Sequence, residues 1–156
     1  MIRKIKPKDK KPLYDIINTL YVFTEEEKKV AEELIDCAIH QPEQGYYISI
    51  FEENNEILGY YCIGLRPLTD GVYDLYWIVV KSTRQNQGIG KKLLIHAEQY
   101  IEKKLGRWLL IETSSKESYN NTRNFYLRNL YTKVAEINNF YKKDENLIIY
   151  GKYFIT

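Results

Sequence analysis

Arg84-Gln85-Asn86-Gln87-Gly88-Ile89-Gly90-Lys91-Lys92-Leu93-Leu94 is the stretch that decides how this chain folds. It follows an apolar strand, Tyr76-Trp77-Ile78-Val79-Val80, and it opens a helix. From Gly88 to Leu105 the apolar residues Leu93, Leu94, Ala97, Ile101 and Leu105 share one helical face. Gly106 is placed to stop that helix as a left-handed cap residue. Strand, glycine turn and helix start together make an anion site. Glycines let backbone come close to a ligand, and the first helical N–H groups have no internal partner. The helix dipole adds about half a positive charge there, so phosphate is the usual guest. A Walker A loop is excluded, because its first glycine would fall at Gln85 and its Ser/Thr at Lys92. The dinucleotide fingerprint is excluded by the missing third glycine. What fits is Gln/Arg-x-x-Gly-x-Gly/Ala, carried by Gln85, Gly88 and Gly90.

Upstream, Ile2 to Ile5 reads as a strand and Pro12 to Leu20 as a short helix. Thr24 with Glu27 three residues on forms a capping box. Behind it Val30, Ala31, Leu34, Ile35, Ala38 and Ile39 repeat at helical spacing until Pro42 and Gly45. Tyr46 to Glu52 and Ile57 to Gly64 flank the turn Glu53-Asn54-Asn55-Glu56, a hairpin signal. Thr69-Asp70-Gly71 turns into the strand Val72 to Val80. Downstream come the strand Trp108 to Thr113, the helix Tyr119 to Leu130, and the strands Val134 to Tyr141 and Leu147 to Phe154.

With 156 residues and 44% hydrophobic content the chain reads as one domain, residues 1–156. Its 23 basic and 21 acidic residues leave a net charge of +2, with no basic stripe, so no nucleic-acid partner is expected. No apolar run approaches the ~20 residues that span a bilayer. Met1-Ile2-Arg3-Lys4-Ile5-Lys6 lacks the apolar segment of a signal peptide, so the expectation is the cytoplasm, with no membrane partner. Cys37 and Cys62 are too few for a disulfide framework and read as buried free thiols. Without a His/Cys cluster, no metal is expected. Lys8-Asp9-Lys10-Lys11 and Glu25-Glu26-Glu27-Lys28-Lys29 read as solvated surface. Most of the 15 tyrosines belong in strands and core, and some suit a cleft that takes an amphipathic ligand.

The Gln85, Gly88, Gly90 pattern resembles the pyrophosphate loop of the GNAT family of N-acetyltransferases, and the element order is similar along nearly the whole chain. The resemblance implies an α/β (α+β) fold. A central, twisted, mixed but mostly antiparallel sheet of about seven strands is flanked by about four helices. It also implies acetyl-CoA as co-substrate and transfer of acetyl to the primary amine of a small molecule or peptide. Transfer would be direct, in a ternary complex, since no cysteine falls where the sequence marks the site. Dimers are common in such a family, so a homodimer is an option.

Site residues follow by the same likeness. Loop amides across Gln85, Asn86, Gln87, Gly88, Ile89, Gly90 and Lys91 would hold the pyrophosphate, with charge added by Lys91 or Lys92. The backbone of Ile78, Val79 and Val80 would meet the pantetheine amides and polarise the thioester carbonyl. Tyr119-Asn120-Asn121-Thr122-Arg123-Asn124-Phe125-Tyr126-Leu127-Arg128-Asn129-Leu130-Tyr131 resembles the family helix Asn-x-x-Ala-x-x-x-Tyr-x-x-x-Gly-Phe. It makes Tyr126 the acid near the coenzyme sulfur and sets Tyr119 at the coenzyme. That helix departs from the pattern at Tyr119, Thr122 and Leu130-Tyr131. The departures keep one alternative open, a catalytically impaired coenzyme-A-binding sensor or interaction module. For the base, Glu112 ends the apolar strand Leu109-Leu110-Ile111 and Asp74 sits in Tyr73-Asp74-Leu75-Tyr76-Trp77. A water chain is the third option. Simple alternation puts Asp74, Tyr76 and Ile78 on one face and Tyr73, Leu75 and Trp77 on the other. His40 and His96 are weaker candidates, with His96 expected to face solvent. The chain's end resembles a bacterial subgroup through Ile137-Asn138-Asn139-Phe140-Tyr141 and Ile148-Ile149-Tyr150-Gly151-Lys152; Asp144-Glu145 between them reads first as a solvated turn, and as an acidic loop near the cleft it would suit a cationic acceptor.

Overall fold

The computed structural model describes residues 1–154, so the last two residues of the expected domain lie outside the described residues. The strands are β1 (Ile2–Lys4), β2 (Tyr46–Glu53), β3 (Glu56–Leu65), β4 (Val72–Val80), β5 (Trp108–Ser114), β6 (Thr132–Lys142) and β7 (Glu145–Tyr153). The helices are α1 (Lys10–Asn18), α2 (Glu25–His40), α3 (Ile89–Lys103) and α4 (Asn120–Arg128). The strands form one sheet in the order β1-β2-β3-β4-β5-β7-β6. Every pairing is antiparallel except β4 with β5. The mixed, mostly antiparallel sheet expected from the sequence is therefore present, with element ends within a few residues of the reading.

Helical faces cover both sides of the sheet. On one side Leu93, Leu94, Ala97 and Ile101 of α3 pack with Tyr61, Ile63, Leu75 and Leu109. On the other, Leu13 and Ile17 of α1 and Ala31 and Ile35 of α2 pack with Ile48, Ile50, Tyr60 and Val79. Each leucine or isoleucine among them, fully removed from water, contributes about 1.5–3 kcal/mol before the entropy cost of ordering it. The capping box of α2 forms as read: Glu27 N–H donates to Thr24 Oγ1 at 3.1 Å and Thr24 N–H to Glu27 Oε2 at 2.7 Å.

Three readings need correction. First, the alternation along β4 breaks at a bulge, where Leu75 pairs with Ile63 and Trp77 with Cys62, leaving Tyr76 without a partner. An extra residue shifts everything beyond it to the opposite face. Tyr73 and Leu75 face α3, but Trp77 and Val79 face α1 and α2, while Ile78 and Val80 now point toward α3. Second, Gly106 is not the left-handed residue; Leu105 is, with φ 57°. Gly106 is needed for room instead, since a Cβ there would lie 2.4 Å from Ile101 Cγ2. Third, Asp9 is not solvated surface. It is 2% exposed and takes both terminal nitrogens of Arg3, at 2.8 and 2.9 Å, while Arg3 Nε donates to Glu52 at 2.7 Å. Cys62 is a buried free thiol as expected, whereas Cys37 is only half-buried.

The Arg3–Asp9 pair ties β1 to the start of α1. Burial works against the Asp9 charge, but the Arg3 and Lys6 N–H hydrogen bonds hold its carboxyl below the ordinary aspartate value. A depressed carboxyl contributes stability above its unfolded pKa of ~3.9, and that contribution is lost as pH falls through the folded value. Arg3→Ala should therefore cost about 3 kcal/mol at pH 7, by leaving a buried carboxylate without its partner. Urea titration at pH 7 and pH 3 checks this, and the variant's deficit should shrink at the lower pH.

Candidate active site

The site begins where β4 and β5 part. They pair at Val72 with Trp108, Tyr73 with Leu109 and Asp74 with Leu110, and no further. Beyond Asp74 the two parallel strands separate, while β4 continues to pair with β3 and β5 with β7. The bulge at Tyr76 bends β4 at the point of separation. Half of the backbone groups of Leu75 to Val80 are thus left facing a gap. Lys81 N–H donates across to Leu58 O on β3, so by alternation Val80 and Ile78 aim their backbone the other way, into the gap. The Val80 carbonyl there accepts from the Gln85 side-chain amide at 3.2 Å.

The gap runs up to the start of α3. Its first helical bond is Lys92 N–H to Gly88 O, so the amides of Ile89, Gly90 and Lys91 have no helical acceptor. Asn86 and Gly88 adopt φ of 59° and 78°, which turns the loop tightly, and a Cβ on Gly88 would meet nothing within 4 Å. The loop is braced from behind: Arg84 Nε donates to the Gln87 side chain at 3.0 Å, and Arg84 Nη2 to Glu53 at 2.7 Å. A glycine with open space over it, beside free N–H groups, matches what a pyrophosphate requires. The Ile89 side chain is buried, so only its backbone is on offer, and the Lys92 ammonium sits 5.5 Å from the centre of the Phe51 ring.

Below the loop lies a cleft of about 540 Å³. Of the residues expected at the site, Asp74, Ile78, Val79, Val80, Gln85, Glu112, Tyr119 and Tyr126 line it. Asn86, Gln87, Gly88, Ile89, Gly90 and Lys91 do not line it and form the turn at its rim. Tyr126 is 3% exposed, and its hydroxyl has no hydrogen-bond partner among the described residues. Burial pushes its phenol well above the ordinary tyrosine value, so it stays protonated at neutral pH. Tyr119 donates its hydroxyl to Glu27 Oε1 at 2.8 Å.

The two carboxylates differ. Asp74 accepts from Arg66 through both oxygens, with Arg66 Nη2 at 2.6 Å and Nε at 3.0 and 3.1 Å. Glu112 receives a single long contact from Arg66, 3.4 Å, and its side chain is 48% exposed. Asp74 is thus held as an anchor, and Glu112 keeps an oxygen free to accept a proton.

Other cleft residues escaped the sequence reading. Arg66 gives no local signal, since an arginine at a strand end is ordinary. Glu27 reads as a cap, yet it also lines the cleft and carries Tyr119. Glu145 is not part of a solvated turn: it is buried, accepts from Ser114 Oγ at 2.6 Å and lines the cleft, with its carboxyl held below the ordinary glutamate value by that hydrogen bond. His96 does not face solvent either. Its Nδ1 lies 2.8 Å from the Tyr61 hydroxyl, burial lowers its pKa, and it stands apart from the cleft.

A sheet opened between β4 and β5, a glycine turn onto a helix N-terminus, and a tyrosine in the cleft together define an acyl-transfer architecture. The model of the acetyltransferase (GNAT) family matches residues 10–130. A protein from Desulfovibrio desulfuricans, assigned to the GNAT acetyltransferases, shares 35% identity over 98% of each chain, with a TM-score of 0.93. An aminoglycoside 6'-N-acetyltransferase solved with coenzyme A has the same fold at 18% identity, covering 100% of this chain and 98% of its own, TM-score 0.78. The ribosomal-protein-S18-alanine N-acetyltransferase of Escherichia coli has it too, at 18% identity, 100% and 94% coverage, TM-score 0.80. No curated protein matches the chain. The chain belongs to the GNAT acetyltransferase family. It is an N-acetyltransferase by that membership. Among the described residues no helix is long and apolar enough to cross a membrane.

Proposed function

We propose that residues 1–156 act as one domain that transfers acetyl from acetyl-CoA to the primary amine of a small molecule or peptide, directly, in a ternary complex. The observation that carries this reading is the unpaired β4 edge, which runs from free helix amides to Tyr126 on the cleft lining, whose hydroxyl makes no hydrogen bond among the described residues. The amides of Ile89, Gly90 and Lys91 would hold the pyrophosphate, with the turn through Asn86, Gln87 and Gly88 shaped to admit it. Gln85 braces Val80, and the backbone of Ile78 and Val80 would meet the pantetheine arm. When bound, acetyl-CoA supplies the activated carbonyl and a sulfur leaving group.

The remaining chemistry belongs to this chain. An alkyl ammonium, pKa ~10.4, has no lone pair to attack with. Glu112 accepts one proton from it, directly or through water. A new N–C bond forms and the C–S bond breaks. Tyr126 donates its phenolic proton to the departing sulfur, and the amide nitrogen's second proton restores the phenol. The net change is ammonium and thioester to amide, thiol and one released proton. A backbone N–H of the 78–80 strand supports the carbonyl oxygen as charge builds on it. Asp74 and Arg66 position Glu112.

Calorimetric titration with acetyl-CoA, with ATP and NAD as controls, tests the reading. Micromolar binding of acetyl-CoA alone, followed by CoA release with an amine, is the expected result. Absence of binding would reduce the Gln85–Gly90 turn to a helix start. Glu112→Gln should lower kcat about 100-fold while leaving acetyl-CoA affinity unchanged. Full activity in that variant would move the base elsewhere.

A further inference from the structure

The charge around the cleft exceeds what one amine needs. Four elements bring carboxylates to it: Glu26 and Glu27 from α2, Asp74 from β4, Glu112 from β5 and Glu145 from β7. Among the described residues Arg66 is the one cation on the cleft lining; its fork is held mainly by Asp74, with a 3.4 Å contact to Glu112, and Lys142 Nζ lies 3.5 Å from Glu145 Oε2. Tyr141 lines the cleft with Glu27, Glu112 and Glu145, and burial first, then the charges of those carboxylates, raise its phenol above the ordinary tyrosine value. The rings of Tyr119, Tyr126 and Tyr141 line the same space. Carboxylates beside aromatic faces attract an organic cation through charge and ring quadrupole together.

A second observation points to a guest. Tyr126 is almost wholly buried and lines the cleft, and its hydroxyl makes no hydrogen bond among the described residues. Val22, Phe23, Val30 and Leu34 on the same lining are apolar and suit an uncharged spacer. Transfer neutralises one ammonium and uses one carboxylate. Asp74 has Arg66 and Glu145 has Lys142, but against a monoamine Glu26 and Glu27 would stay without a cation among the described residues.

We infer that the acceptor is a small organic polycation, in which a reacting amine beside Glu112 and Tyr126 is joined through an apolar spacer to a second ammonium held by Glu27, Glu145 and Tyr141. This deepens the transferase reading and rests on it. Chain ends of peptides, which carry a single amine beside amide groups, fit the surplus charge less well. The shared chemistry covers open-chain polyamines and amino-sugars alike.

The test compares four acceptors by CoA release: spermidine, kanamycin, n-butylamine and an alanine-ended neutral peptide. Calorimetry of spermidine and kanamycin against the protein without acetyl-CoA supplies a readout free of turnover. A kcat/KM for either polycation at least tenfold above that of butylamine and the peptide supports the inference, and the better of the two identifies the source. Glu27→Gln keeps a side chain that can complete the capping box. It should raise the polycation KM roughly tenfold, well beyond any change it makes to the butylamine KM. Butylamine or the peptide used as well as the polycations overturns the inference, as does an equal effect of Glu27→Gln on every acceptor. If no amine is acetylated while acetyl-CoA binds, calorimetric binding of a polycation that weakens in Glu27→Gln still supports the cation site, and its absence overturns it. Failure of acetyl-CoA to bind at all counts against the transferase reading alone.

Discussion

Tyr126→Phe should lower kcat by about 100-fold or more, with the affinity for acetyl-CoA changed less than about threefold. The substitution is close to a pure deletion of one proton donor. In the ground state the hydroxyl makes no hydrogen bond among the described residues, so none is lost. The ring is held by Phe125, Tyr131 and Tyr150, at centroid distances of 5.2, 5.8 and 6.5 Å, and phenylalanine keeps all three contacts. Stability and packing should therefore be unchanged, which thermal melting checks alongside steady-state kinetics and calorimetry. The loss should be greatest for the bond-breaking step, because a thiolate of pKa ~8.5 leaves more easily when a proton is supplied. A variant with wild-type kcat would remove Tyr126 from the acid role and leave water to protonate the sulfur.

Gly88→Trp should abolish measurable acetyl-CoA binding, a loss of at least about 100-fold, while the protein stays folded. Gly88 sits at φ 78°, where a side chain costs about 1–2 kcal/mol. That strain is small beside the stability of a domain this size. Nothing lies within 4 Å of the added Cβ, so the indole would project into the space over the free amides. Gly90→Ala is the matched control. Its Cβ meets Phe125 at 3.5 Å, an ordinary contact, and it lies on the protein side of the turn. Calorimetry and circular dichroism on both variants separate a blocked site from a damaged fold. Unchanged affinity in Gly88→Trp would mean that the pyrophosphate lies elsewhere.

Much of this site was legible along the chain because its parts are local. A strand, two glycines and a helix start are neighbours in sequence, so residues 76–94 already specify the turn that is proposed to receive an anion. Tyr126 was reached through a helix pattern, again a local signal. The face of Trp77 was not legible, because the bulge at Tyr76 depends on the pairing of β4 with β3. The burial of Asp9 was hidden for a similar reason: its partner Arg3 lies on a strand that only the sheet brings near. Glu145 read as a turn residue because Ser114, which holds it, is 31 positions away.

Sequence alone thus determined the order of elements, the family likeness and the loop that would receive a pyrophosphate, since each rests on spacing within a few turns of chain. Tertiary structure decided which carboxylate is anchored and which is free, because Arg66 reaches Asp74 and Glu112 only after β3, β4 and β5 are aligned. It also decided the charge of the cleft. Carboxylates from α2, β4, β5 and β7 are far apart in the chain, and their fields add only where the fold brings them within a few ångströms of one space.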